Sequence, residues 1–198
     1  MKIIKDINTE LLSFSSPEKD EDGYYISKCV YNEDNEGLYW LVKNIEVIES
    51  FTDEDEIILQ ENKNKELLED FTNIDKKIVK EIEENSEEWF NKKLKKEVVE
   101  RNYRTLINEN LMDDPIIVIP LERTEDEQEL TFDIYNSKKE LIDETELEYP
   151  LKMHLLLNLR GLRFTRSKVE PIWDIIQIKL LQNKIKKEEK KCLIDDEN

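Results

Sequence analysis

Arg160, Arg163, Arg166 and Lys168 lie close together in the segment RGLRFTRSK, with Phe164 among them. A guanidinium is planar and always charged, and its forked donors match phosphate oxygens. Aromatic rings near such arginines can stack on unpaired bases, and Tyr24, Tyr25 and Tyr39 lie in strand-like runs near the N-terminus. A second basic group, Lys92, Lys93, Lys95 and Lys96 with Arg101 and Arg104, is offset within its own segment only by Glu97, Glu100 and Glu109. Together these residue types suit gripping a phosphodiester backbone and stacking its bases, without making or breaking bonds. Trp40 and Trp173 could serve in the same way or belong to the core, and the sequence leaves both open.

Charge is segregated along the chain. The 198 residues carry 30 Lys and Arg against 48 Asp and Glu, a net charge of −18. Residues 150 to 191 reverse that balance, with 11 basic against 4 acidic side chains, leaving 19 against 44 elsewhere. A cationic element on an acidic body can hold a polyanion locally while the remainder discourages nonspecific condensation.

Other chemistries lack material. Gly23, Gly37 and Gly161 are far apart, so neither a P-loop nor a dinucleotide-binding turn can be built. His154 is the only histidine and no cysteine cluster exists, so zinc sites and two-histidine nucleophilic arrangements are not expected. The many carboxylates show no spacing that singles out a metal site, so no catalytic residue, metal or cofactor is expected and a non-enzymatic protein is the prediction. Cys29 and Cys192 are widely separated, which predicts two free thiols in a reducing compartment. No basic flank leads into a long apolar run near the N-terminus, so a non-secreted protein with no membrane segment is expected.

The elements that would position these groups follow from periodicity. Residues 13 to 22 read as a loop. GYYISKCVY and LYWLVKNIEVIES, around an Asn/Asp/Gly cluster, read as a hairpin, followed by an acidic loop over 49–56 and a short strand IILQ. From about Thr72 the period becomes helical, with Ile74, Ile78, Ile82 and Trp89/Phe90 on one face and Thr72-x-x-Asp75 as a capping box. A second helix over KKLKKEVVERNYRTLIN should bury Leu94, Val98 and Tyr103 or Leu106, and one long bent helix is the alternative. After Asp113-Asp114-Pro115 strands return: IIVIPL, ELTFDIYN, KMHLLLNL and IWDIIQIKLL. In KMHLLLNL, Met153, Leu155, Leu157 and Leu159 share one face and Lys152, His154, Asn158 and Arg160 the other. If Gly161 marks a bulge the alternation slips by one, returning Leu162 and Phe164 to the core face and leaving Arg160, Arg163 and Thr165 outside. The layout predicts one α+β domain over 1–181, mainly antiparallel, with a helical insertion at about 72–108. A charged helix or tail follows over 182–198.

The order of segments resembles the single-stranded DNA-binding proteins of large nucleocytoplasmic DNA viruses. The resemblance spans about residues 23 to 181. It comprises the hairpin, the helical insert FTNIDKKIVKEIEENSEEWFNKKLKKEVVERNYRTLI and the closing GLRFTRSKVEPIWDIIQIKL pair. Its most specific part is Asn85-Ser86-x-x-Trp89-Phe90 followed by Lys92-Lys93-Leu94 and Glu97-Val98-Val99. The absence of alanine and the excess of Ile, Asn, Lys and Glu fit an AT-rich source genome. The resemblance implies an OB-like β-barrel or sheet and sequence-tolerant, cooperative coating of single-stranded DNA. It further implies a role in viral replication or recombination, in the host cytoplasm or the virion. Asp195, Asp196 and Glu197 resemble the acidic ends by which single-strand binders recruit replication enzymes.

On this reading Arg160, Arg163, Arg166 and Lys168 contact phosphates, Lys92, Lys93, Lys95 and Lys96 flank the groove, and one or more of Tyr24, Tyr25, Tyr39 and Phe164 stack on bases. The alternative is a non-enzymatic protein-interaction or virion structural module, whose acidic body is the functional surface and whose basic hairpin docks on an acidic partner or a second copy. Nothing in the sequence reads a ribose 2′-hydroxyl, so DNA against RNA is left open.

Overall fold

The computed structural model describes residues 2–32, 37–47, 49–50, 55–60, 63–108, 114–124, 126, 129–147 and 150–181. The charged tail at 182–198, with its lysines, Cys192 and the acidic end, lies outside them, as do residues 51–54 of the expected acidic loop. Short strand β1 (Ile3–Ile4) opens the chain, and two more, β2 (Leu12–Phe14) and β3 (Glu18–Lys19), reach into or lie within the 13–22 segment expected to be loop. The two strands of the expected hairpin form as β4 (Tyr25–Tyr31) and β5 (Leu38–Val47), but the hairpin itself is a correction: among the described residues they pair with successive stretches of the long strand Leu151–Phe164 and not with each other. Then come β6 (Glu49–Ser50), β7 (Glu56–Gln60), helices α1 (Lys65–Phe90) and α2 (Lys96–Asn102), β8 (Ile107–Asn108), β9 (Ile116–Pro120) and β10 (Asp133–Tyr135). The chain ends, among the described residues, on the long strands β11 (Leu151–Phe164) and β12 (Val169–Leu180).

This is the expected α+β class. The main sheet runs β1-β5-β11-β12-β10, with β4 also on β11 and β2 and β3 on β4; a second sheet runs β6-β7-β9-β8. Pairing is antiparallel except for β1 on β5 and β10 on β12. The main sheet is open, without closure into a barrel. The helices are inserted between β7 and β8, within the second sheet's own sequence.

β11 organises the molecule; its burial alternates at its two ends, while residues 155–159 in its middle are buried on both faces. One edge is paired along its length with β12, while the other is shared: residues 151–159 pair with β5 and residues 161–164 pair with β4. The switch of partner falls on the register shift between Leu159 and Gly161, the expected bulge. Leu162 and Phe164 therefore return to the core, and Arg160 and Arg163 are both exposed.

α1 lies against the apolar face of this sheet. Leu67, Phe71, Ile74, Ile78 and Ile82 recur at three- and four-residue spacing and are all buried. Phe71 wedges between Trp40 and Trp173, with ring centroids 5.4 Å and 5.3 Å away in edge-on geometry, so both tryptophans are core residues. The helix starts at Lys65, seven residues before the expected Thr72, and Thr72 is no cap: its hydroxyl donates to the Leu68 carbonyl within the helix. Asp75 instead accepts from the Tyr103 hydroxyl at 2.6 Å and from the Thr105 hydroxyl, tying α1 to the chain after α2. Burial pushes the Asp75 carboxyl up, and those hydrogen bonds pull it partly back. Asn91, left-handed at φ 51°, ends α1, so the helices are two. In α2 the inward residue is Val99, with Val98 exposed, a one-residue phase difference from the expectation.

His154 has a structural task. β5 breaks register opposite Met153–Leu155, with Asn44 at φ 57°, and the backbone N–H of Asn44 donates to His154 Nδ1 at 3.1 Å. Accepting that bond requires an unprotonated Nδ1. Burial, followed by Lys179 and Lys43, lowers the imidazole pKa below its usual 6.5. The folded form thus binds protons less readily than the unfolded one, so stability present above pH 6.5 is lost as pH falls through the depressed folded value. His154→Leu is expected to show a shallower loss of urea midpoint than the wild type between pH 7.5 and 5.5; parallel losses would show that His154 carries no such linkage.

Candidate nucleic-acid interface

A groove of about 960 Å³ opens on the outer face of the main sheet, where β4 and β5 part company along β11. Its floor holds Lys28 of β4, Tyr39 of β5, and Asn158, Arg160 and Arg163 of β11. One wall comes from the β3–β4 turn, with Asp20, Asp22 and Tyr24; the other comes from Pro120 and Glu122 after β9 and from Pro171 to Trp173 of β12. Register explains the convergence. Asn158 is opposite Tyr39, Gly161 opposite Lys28 and Arg163 opposite Ile26, and residues facing each other across an antiparallel pair project to the same side.

The turn before β4 fixes Tyr24. Its backbone N–H donates to Asp20 Oδ1 at 2.7 Å, and the Asp20 N–H donates to the Tyr24 carbonyl at 2.8 Å. Arg163 lies over the Tyr24 ring at 5.6 Å, so a cation and a 44% exposed aromatic face are presented together.

Both groove arginines are held by carboxylates. Arg160 forms ion pairs with two carboxylates, its Nε 3.0 Å from Asp174 Oδ2 and its Nη2 3.5 Å from Glu122 Oε1; Arg163 Nη2 donates to Glu170 Oε2 at 3.1 Å. Burial raises the Asp174 carboxyl, Arg160 draws it down and Glu122 pushes it up. Asn158 Oδ1 and Asp174 Oδ1, on cross-strand neighbours, are buried there without a hydrogen-bond partner, an uncommon polar deficit. Cys29 also borders the groove, but burial pushes its thiol up to about 12, so it is unreactive at neutral pH.

The structure sorts the predicted site residues. Arg160, Arg163, Tyr24 and Tyr39 come together in the groove. Arg166 and Lys168 are exposed in the turn joining β11 to β12, one step beyond it. Lys92, Lys93, Lys95 and Lys96 are exposed but do not line the groove, and Lys96 pairs with Glu100 at 3.4 Å. Their segment begins where Phe90 packs on Phe164 and ends where Tyr103 bridges Val169, so it belongs to the tip of the β11–β12 hairpin. Tyr25, 52% exposed, is paired with Phe164 and lies outside the groove lining. Phe164 is a correction. Its ring is buried, 6.1 Å from Trp89 and 5.4 Å from Phe90, because the bulge that exposes Arg163 turns the next residue inward, and it offers no face to a base.

Residues 42–195 match the family described as "Family of unknown function (DUF5871)". The chain belongs to this family. No curated protein matches it. Among solved structures it is similar to the single-stranded DNA-binding protein from bacteriophage Enc34, with 11% identity, a TM-score of 0.41 and coverage of 91% of this chain and 95% of that one. The same phage protein in complex with ssDNA gives 12% identity, a TM-score of 0.39 and coverage of 85% and 96%. That likeness is remote, and what the groove of this family member can hold is decided by its own side chains.

Lys28, Asn158 and the acids Glu122, Glu170 and Asp174 escaped the sequence reading. Lys28 was within reach, since it alternates in phase with Tyr24 and Ile26 along one strand face. Glu122 was not, because its contact with Arg160 joins the segment after β9 to the main sheet. No group of three or more His, Cys, Asp or Glu is placed to hold a metal ion among the described residues, and none of their helices is long and apolar enough to cross a membrane.

Proposed function

We propose that this protein binds single-stranded DNA in the groove between β4 and β5, without catalysing a reaction. The observation that carries the reading is the pairing of Arg163 with the Tyr24 ring beside Arg160, Lys28 and Tyr39. Phosphate-gripping cations and stackable rings alternate there within one cleft open to a chain. Arg160, Arg163 and Lys28 take phosphates, and Tyr24 and Tyr39 take bases. Arg166, Lys168 and the Lys92–Lys96 segment extend the track around the hairpin tip. Stacking with few base-edge contacts makes binding sequence-tolerant. The resemblance to single-strand binders of large DNA viruses suggests coating of exposed strands in viral replication or recombination, at a cytoplasmic replication site or in the virion, with replication proteins recruited through the acidic end.

The test is fluorescence anisotropy of a labelled oligonucleotide titrated at several salt concentrations. Replacing both Arg160 and Arg163 by Ala is expected to weaken binding roughly tenfold or more at low salt. It should also flatten the slope of log K against log salt by about 0.7 per lost phosphate contact. An unchanged slope would remove both arginines from the site.

One observation favours the rival module: every groove arginine already has a carboxylate partner, which is how a surface built for protein contacts would look. Self-association without DNA, measured by sedimentation, together with no oligonucleotide binding at low salt, would move the assignment there.

A further inference from the structure

Resting on the strand-binding reading, the arrangement of charge around the groove goes further than affinity. Three cations line it, Lys28, Arg160 and Arg163, and three carboxylates line it with them, Asp20, Asp22 and Glu122. The two signs are not mixed at random. The cations stand on the sheet that forms the floor, whereas Asp20 and Asp22 come from the turn before β4 and Glu122 from the segment after β9, on the two walls.

We infer that this acidic rim makes the groove select a single strand over a duplex, with Glu122 as the residue that a strand phosphate displaces. Long-range attraction for polyanions is cancelled at the mouth, so a ligand gains only by reaching the floor. A single strand can do so, turning successive phosphates down to Arg160 and Arg163 and laying freed bases on Tyr24 and Tyr39. A duplex cannot. Its bases face inward and offer no ring to the tyrosines, and its second backbone is brought against the rim carboxylates, a like-charge juxtaposition that is costly and discriminates against the wrong partner.

The two partners of Arg160 divide the work. The Asp174 side chain is 17% exposed and its Oδ2 lies 3.0 Å from Nε, a close ion pair that orients the guanidinium and stays in place. Glu122 is 51% exposed and more distant, at 3.5 Å, and it gives way to a phosphate on the same fork. It holds the strand's place while the groove is empty.

The experiment compares wild type with Glu122→Gln and with the triple variant Asp20→Asn, Asp22→Asn, Glu122→Gln. Each is titrated against a labelled single strand and against the same sequence as a blunt duplex, at one fixed salt concentration. Asn at position 20 keeps the Oδ1 that caps the Tyr24 N–H, and thermal unfolding of each variant checks that the fold is retained. The expected result is a gain of about tenfold in duplex affinity for the triple variant and a gain of only a few-fold for the single strand. E122Q alone should tighten the single strand slightly. Equal gains for both ligands would overturn the selectivity proposal, since the rim would then act only through total charge. No gain for either would overturn it as well, leaving strand binding itself intact. If wild type and variants bind neither nucleic acid, the strand-binding reading fails and the rim proposal falls with it.

Discussion

Phe71→Ala is expected to cost about 3–5 kcal/mol of folding stability. For a chain of this length that corresponds to a fall on the order of 10 °C in Tm. Phe71 is 1% exposed and has a tryptophan on either side, Trp40 from β5 and Trp173 from β12. Deleting the ring removes buried apolar surface and two edge-on aromatic contacts, and it opens a void that large, rigid indoles cannot readily close. The same ring couples α1 to two strands that flank β11. The expected secondary effect is a looser groove floor, because Trp173 backs it. Phe71→Leu, which keeps most of the volume, should lose clearly less. Thermal unfolding followed by tryptophan fluorescence checks both, and a loss below about 1 kcal/mol for Ala would mean that the indoles slide together and that the wedge is dispensable.

How far this arrangement could be read from sequence differs from residue to residue. Ile74, Ile78 and Ile82 announced α1 because their spacing repeats without interruption. Leu67 and Phe71 continue the same spacing towards the N-terminus, yet Thr72-x-x-Asp75 imitates a cap convincingly enough to displace the start. What overrides the local signal is tertiary: Asp75 is committed to Tyr103 and Thr105, residues far along the chain. The bulge at Gly161 was legible because glycine interrupts a run whose charged residues otherwise change faces, and it placed Arg160 and Arg163 correctly on one side. The same logic turns Phe164 inward, so a stacking role for it conflicted with the alternation that exposed its neighbour. Tyr24 and Tyr39 could be picked by residue type, but their meeting depends on β4 and β5 taking successive stretches of one edge of β11, a pairing that no local pattern encodes. The carboxylates that hold the arginines were lost in the acidic background, where 48 Asp and Glu give no contrast to any one of them.

Gly161→Ala should damage the groove more than any single charge replacement. A Cβ at this position would meet the Ser27 carbonyl oxygen at 2.1 Å, with the Ser27 carbonyl carbon at 3.1 Å and Lys28 Cα at 3.2 Å. These are backbone atoms of β4, so no side-chain rotation relieves the clash and the strand itself must move away. The residues at stake are the four pairs that hold β4 on β11, from Gly161–Lys28 to Phe164–Tyr25. Overpacking of this kind costs about 1–3 kcal/mol and sometimes more. The loss is local in origin, since the pairs of β11 with β5 and with β12 are formed by other residues or on the other edge of the strand. Strand binding should therefore fall further than the loss of stability alone explains, because Lys28 and Tyr24 leave with β4 while Arg160 and Tyr39 remain. Amide hydrogen exchange should show lost protection in residues 25–28, with β12 largely unaffected. Retained protection there, with unchanged oligonucleotide affinity, would mean that β11 can yield at its bulge and that the close approach of the two backbones is not what shapes the groove.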